Sequence, residues 1–346
     1  MYCCPECFGD RSLRREIIPM YADRTGTCEY CLTENISLIE PRQLTEYFEL
    51  LVSGYHADAQ GKLLVQWFRE DWGLFRHSRL DDSRAKDLLA EILNDGEIVR
   101  QSFLPTLTSG GNWLEVWDNL CEELLTRNRF FPKISIDYER LSALLTVLQS
   151  DPAEIGQTWF RARIRDKNLP YLISEMGAPP RERATYGRAN PAGIPYLYLA
   201  SSVETAMSET RPHTGAAVCI ADFNLDRPLK VIDLRTPKGT VSPFLLGDAE
   251  AVRRMRSDLP FLEHLGQELA RPVLPHAAAI EYTPSQFLCE FIKGENYDGV
   301  LYKSSVGSGS GVNLALFDTA AASCQTVRMF QVTKVVVEAI ESVPTL

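Results

Sequence analysis

The sequence predicts a multidomain chain in three parts: a zinc-binding knuckle over residues 1–40, a helical bundle over 41–150, and a mixed α+β domain with a split, mostly antiparallel sheet over 151–346. Three observations carry that expectation. Two C-x-x-C pairs stand near the N-terminus, apolar residues then recur at three- and four-residue spacing, and strand-like runs replace them after Asp151-Pro152.

The cysteine pairs are Cys4-Pro-Glu-Cys7 and Cys28-Glu-Tyr-Cys31. Two short turns that each offer two thiolates at this separation suit one tetrahedral zinc, with Cys3 as a substitute ligand or a bystander. A redox pair would instead use a single C-x-x-C at a helix start within a βαβ unit. A four-thiolate site is coordinatively closed, so the metal is expected to be structural. It would hold together a segment too small to build a core of its own.

Helical periodicity covers Gln43 to Leu51, Ser83 to Leu93, Trp113 to Leu125 and Tyr138 to Leu148. Strands are expected at Thr158 to Ile164, Tyr196 to Leu199, Ala216 to Phe223, Leu229 to Leu234, Gly299 to Tyr302, Val312 to Phe317 and Val327 to Val337. Helices are expected at Val203 to Thr210, Ala249 to Leu269 and Gln286 to Ile292. Few strand pairs enclose one regular helix, which disfavours a doubly wound parallel sheet.

The densest chemistry lies in Gly187 to Arg211, GRANPAGIPYLYLASSVETAMSETR. A Gly-Arg-x-Asn turn leads through a Pro/Gly loop into a short strand, and then into a helix capped by Ser201 or Ser202 that carries Glu209 near its end. Two further stretches accompany it. Arg161 follows Gly156 on the first expected strand, and Asp298-Gly299 precedes Tyr302-Lys303-Ser304, with Asn313 opening a hydrophobic strand beyond.

These three motifs, in this order, resemble the signature of the RES-domain family, named for an Arg, a Glu and a Ser. The resemblance spans roughly residues 150 to 346. It implies an ADP-ribosyltransferase-like fold and an enzyme that consumes NAD. It departs from the family at Lys303, where Pro is common, and Ser305 leaves the Ser position open by one residue.

By that resemblance Glu209, Arg161, Tyr198 and Ser304 form the catalytic set, and Arg161, Arg188, Asn190, Tyr198, Ser304 and Asn313 contact NAD. The chemistry suits these residue types. Cleaving the nicotinamide–ribose bond develops positive charge on the ribose, which a carboxylate such as Glu209 stabilises. The pyrophosphate calls for a fork donor such as Arg161 or Arg188. Tyr198 offers a ring for nicotinamide, and Ser304 a small hydroxyl. Water, inorganic phosphate or a protein side chain as acceptor gives a glycohydrolase, a phosphorylase or an ADP-ribosyltransferase. A binding adaptor that keeps the fold without turnover is the competing class.

Short RES proteins are toxins restrained by an antitoxin, and the helices between a zinc knuckle and a RES-like end resemble a HEPN domain. Residues 41–150 lack the Arg-x4-His spacing that a HEPN ribonuclease needs. The match Arg271 to His276 is interrupted by Pro272 and Pro275. The helical part is therefore expected to sense, dock or self-associate, and His56 and His77 to be structural or surface histidines. An antitoxin or trigger such as phage infection, and homo-oligomers, are the implied partners.

A net charge of -10 over 346 residues argues against a broad nucleic-acid footprint. With 45% hydrophobic residues, no long apolar run and no signal-like start, a cytoplasmic protein without a membrane span is expected. Neither a P-loop, a Rossmann fingerprint nor a G-x-S-x-G elbow occurs. Gly307 to Gly311 reads as a loop, conceivably a lid beside Ser304.

Overall fold

The computed structural model describes residues 1–106, 113–165, 169–306, 311–337, 339 and 341. The chain forms two compact units, Met1–Asp118 with Thr236–Leu265, and Asn119–Arg235 with Gly266–Leu346. These interleave along the sequence, unlike the contiguous 1–40, 41–150 and 151–346 division read from it.

In the first unit, a 3-10 turn at Pro5–Cys7 is followed by Gly9 at φ 72°, and the second cysteine turn by Leu32 at φ 60°. A left-handed residue thus follows each C-x-x-C within two positions. Strands β1 (Arg24–Gly26) and β2 (Ile36–Leu38) pair antiparallel beside them. Phe8, directly after Cys7, is fully buried, with its ring 5.7 Å from Phe48 and 5.8 Å from Phe75. Phe48 lies on the helix Thr45–Val52 and also meets Phe244, 5.1 Å away, from the later segment of this unit. The cysteine segment is thus sewn into an aromatic core rather than held as a separate module.

The periodic helices appear at Thr45–Val52, Asp82–Leu93, Trp113–Thr126 and Tyr138–Val147. The expectation of a purely helical 41–150 is corrected by a two-stranded antiparallel sheet, β3 (Tyr55–Leu63) with β4 (Ser102–Pro105), whose strands are separated in the chain by helices. The sequence YHADAQGKL has neither β-branched residues nor clean alternation, and most of β3 is exposed. Its pairing with β4 is what makes it a strand. The helix Leu64–Trp72, which follows β3 directly, also escaped the periodicity reading.

The second unit carries one seven-stranded sheet of order β11-β7-β5-β6-β10-β9-β8. Its strands are β5 (Thr158–Arg165), β6 (Leu197–Ala200), β7 (Ala217–Leu225), β8 (Val231–Asp233), β9 (Gly299–Lys303), β10 (Val312–Leu316) and β11 (Ala322–Gln331). All neighbours are antiparallel except β8 and β9. The expected split is a joint inside a continuous sheet: β5 pairs with β7 from Thr158 to Arg165, but with β6 only at Phe160↔Ala200. Strand β11 begins before the expected Val327 and ends at Gln331, because its pairing with β7 runs from Ala322 across an irregularity at Cys324/Thr326.

Alternation along β5 and β7 sorts side chains to two faces. Trp159, Cys219 and Phe223 join Leu197, Leu199, Leu314 and Leu316 on one face. Phe160, Val218 and Ile220 pack with Val203 and Met207 of the helix Val203–Glu209 on the other. That helix is the one that delivers Glu209.

Because Phe8 ties the cysteine segment to the aromatic core, Phe8→Ala is expected to destabilise the protein by about 3–5 kcal/mol, the usual cost of truncating a fully buried Phe. Urea denaturation followed by tryptophan fluorescence measures this; an unchanged midpoint contradicts the packing argument.

Candidate functional site

Glu209 ends the helix that Ser202 caps by accepting from Thr205 N at 3.1 Å. Its carboxylate oxygen Oε1 accepts from Ser304 Oγ at 2.7 Å and from Asn313 Nδ2 at 2.6 Å. Ser304 follows β9 and Asn313 lies on β10, so the helix end and two neighbouring strands converge on one oxygen. Glu209 Oε2 has no protein hydrogen bond among the described residues.

The turn before β6 explains its own sequence. Asn190 Nδ2 lies within hydrogen-bond reach of the Thr185, Pro191 and Ile194 carbonyls, while its Oδ1 accepts from the Tyr198 hydroxyl at 2.6 Å. The same hydroxyl accepts from Ala189 N at 3.0 Å. A Cβ at position 187 would lie 2.5 Å from Asn190 Oδ1 and 2.6 Å from the Tyr198 hydroxyl, so only glycine fits. Burial pushes the Tyr198 phenol above its ordinary range, and it stays neutral as both donor and acceptor.

This turn presents Arg188. Its Nη1 donates to the Arg271 carbonyl at 2.6 Å and its Nη2 to Ser305 Oγ at 3.3 Å, and the guanidinium stands 5.0 Å from the centre of the Tyr282 ring. Ser285 Oγ donates to the Arg188 carbonyl at 2.7 Å, and Gln286 Nε2 to the Gly187 carbonyl at 2.8 Å. The helix Thr283–Gly294 therefore braces the turn from behind.

Arg161 sits where β5 and β6 part. Its Nη1 donates to the Tyr198 carbonyl at 3.0 Å, doing with a side chain what backbone pairing would do in an unbroken sheet. Its Nε is buried without a partner among the described residues. Burial, with Arg163 nearby, pulls the guanidinium down to about 10, so it remains charged at neutral pH.

A cavity of about 510 Å³ opens over this joint, within the size range of small-molecule sites. Arg161, Arg188, Tyr198, Glu209 and Asn313 line it, so five residues expected from sequence share one cavity. Ser304 and Asn190 do not line it: Ser304 holds Glu209, and Asn190 has its polar atoms committed to the turn. Ser305 does line it, and it contacts Arg188. The sequence reading missed Tyr302, Tyr282 and Arg211 as lining residues. Tyr302 was visible in the Tyr-x-Ser motif and Arg211 as the last residue of the Gly187 stretch, whereas nothing marked Tyr282. Gly307 to Ser310, expected as a lid, lie outside the described residues.

In the first unit, Cys4, Cys7, Cys28 and Cys31 are buried, with all four sulfurs within 4.8 Å of one another. Cys4 and Cys31 are 3.3 Å apart, and Cys7 and Cys28 3.4 Å. Tetrahedral zinc with bonds of about 2.3 Å needs sulfurs about 3.8 Å apart, so the set fits with small adjustments. The Cys3 thiol reaches the Ile39 carbonyl instead, at 3.7 Å, and stands apart from the four.

The second unit is a mixed α+β domain with a carboxylate and two arginines gathered over a sheet joint, and its family follows from the sequence pattern. The RES domain family matches residues 158–335, and the chain belongs to that family. No curated protein matches the chain. The M. tuberculosis MbcT–MbcA toxin–antitoxin complex shares 17% identity over 56% of this chain and 93% of that one, at a TM-score of 0.32. No helix of the described residues is long and apolar enough to cross a membrane.

Tyr198→Phe removes the hydroxyl that joins Ala189 N to Asn190 Oδ1 and leaves both without that partner. A loss of about 1–3 kcal/mol in stability is expected. Thermal unfolding beside wild type checks it, and an unshifted transition would show that the turn holds without the phenol.

Proposed function

We propose that this RES-domain chain degrades NAD by cleaving its nicotinamide–ribose bond, and that it arrests growth unless an antitoxin or a trigger-dependent partner restrains it. The observation that carries the reading is Glu209, aimed through one oxygen by Ser304 and Asn313 on the wall of a cavity that also holds Arg161 and Arg188.

Two donors on Oε1 fix the carboxylate before substrate arrives, and Oε2 is left to face the ribose. A preorganised negative charge stabilises the oxocarbenium-like state more than the neutral ribose of the ground state, which is what lowers a barrier. Arg188 and Arg161 supply positive charge for the pyrophosphate, Arg161 also holding the sheet joint through Tyr198. Tyr198 and Asn190 act as scaffolding for the turn, and Tyr198 also lines the cavity. Ser304 acts by positioning Glu209.

The acceptor names the product: water, inorganic phosphate or a protein side chain. Free NAD breakdown is the favoured reading, with ADP-ribosylation of a protein as the alternative. An inert adaptor is the reading from another class, set against a carboxylate held by two donors in a cavity. The N-terminal parts, a zinc knuckle at 1–40 and a HEPN-like helical part at 41–150, are proposed to regulate, dock or oligomerise, with 151–346 holding the whole site. A cytoplasmic, phage-defence or toxin–antitoxin setting belongs to the same proposal.

Glu209→Gln keeps shape and hydrogen bonding but removes charge. Turnover of NAD is expected to fall about 100- to 1000-fold, equivalent to about 3–4 kcal/mol, with NAD affinity changed little. Nicotinamide release, with calorimetric NAD binding and growth of expressing cells, tests this. A variant that consumes NAD like wild type sinks the assignment.

Zinc in the four-cysteine site is proposed as structural. Metal analysis of protein purified without chelator is expected to find about one zinc per chain, lost in a Cys4→Ser, Cys28→Ser double variant. Absence of zinc from the wild-type protein rejects the proposal.

A further inference from the structure

Beside the first cavity lies a second, of about 660 Å³, and Arg211 and Val306 line both. We propose that this second cavity takes the purine nucleoside half of the dinucleotide, with Arg211 at the pyrophosphate between the two halves; the assignment rests on the NAD reading of the first cavity.

The two cavities differ in chemistry as the two halves of such a ligand do. The first holds Glu209 and the charged and aromatic groups around it. The second is walled by Met207, Val332, Val335 and Val336, with Glu204 and Lys334 among its few charged groups. A purine has two apolar faces and an exocyclic amine at its edge. Aliphatic walls suit the faces, and a carboxylate such as Glu204 can accept from the amine. Lys334 adds positive charge suited to a nucleotide phosphate. Val335 and Val336 are 44% and 71% exposed, and a bound base would cover them.

Arg211 is held where the two cavities meet. Its backbone is left-handed at φ 47°, as befits the residue that follows the C-cap Thr210 of the helix Val203–Glu209. The turn is set by Arg211 N donating to Ser208 O at 3.0 Å and by Pro212 behind it. A dinucleotide, with a ring system at each end and a doubly negative linkage in the middle, matches two adjoining cavities that share one cation.

The test uses the full-length protein, titrated with NAD, with nicotinamide mononucleotide, which needs only the first cavity, and with AMP, which needs only the second. Val335→Trp fills the second cavity from a surface position. It is expected to abolish AMP binding and weaken NAD at least tenfold, while nicotinamide mononucleotide binds as in wild type. Lys334→Ala, which adds no bulk, is expected to weaken AMP and NAD together. If wild type releases nicotinamide from NAD but Val335→Trp binds NAD and AMP unchanged, the second-cavity assignment is overturned and the function stands. If wild type binds neither NAD nor nicotinamide mononucleotide, both readings fall.

Discussion

The joint between β5 and β6 is the constraint on which the site depends. Backbone pairing there stops after Phe160↔Ala200, and the Arg161 guanidinium takes over by donating to the Tyr198 carbonyl. A fully paired sheet would close this space, whereas strands parted without a bridging donor would leave a buried carbonyl unsatisfied, a cost of about 1–3 kcal/mol. A long cationic side chain resolves both demands. It keeps the gap open and leaves a buried positive group, its Nε without a partner among the described residues, on the wall of the cavity.

Several residues that a ligand-centred reading places against substrate are used to build the wall that the substrate would meet. Asn190, Tyr198 and Gly187 form one closed arrangement, in which each hydrogen bond orients the next and the missing Cβ leaves room for the others. Ser285 and Gln286 then fasten the turn's carbonyls from the neighbouring helix. The turn so fastened holds the backbone of Arg188 in place, while Ser304 and Asn313 fix Glu209 independently. Asn190 and Ser304 thus spend their polar groups on the protein itself, one on the turn and the other on Glu209.

The cysteine cluster answers to a different problem. Four thiols close to one another are repulsive once ionised, and a metal turns that liability into a cross-link. A cross-link at these cysteines would secure more than the knuckle, because Phe8 packs with Phe48 and Phe75, and Phe48 in turn with Phe244.

The sequence by itself determined the features that are local or chemically exclusive: the paired C-x-x-C spacing, the capped helix that ends at Glu209, the strands that alternate, and the Gly-Arg-x-Asn turn. Each rests on a few neighbouring residues, so its signal survives without knowledge of the fold. Tertiary structure alone decided which distant residues meet. It brought Ser304 and Asn313 to the same carboxylate oxygen, set Tyr282 against Arg188, made a strand of the unpromising Tyr55–Leu63, and assigned Thr236–Leu265 to the first unit. Those outcomes come from packing and pairing between segments far apart in the chain, whose energies no window of adjacent residues contains.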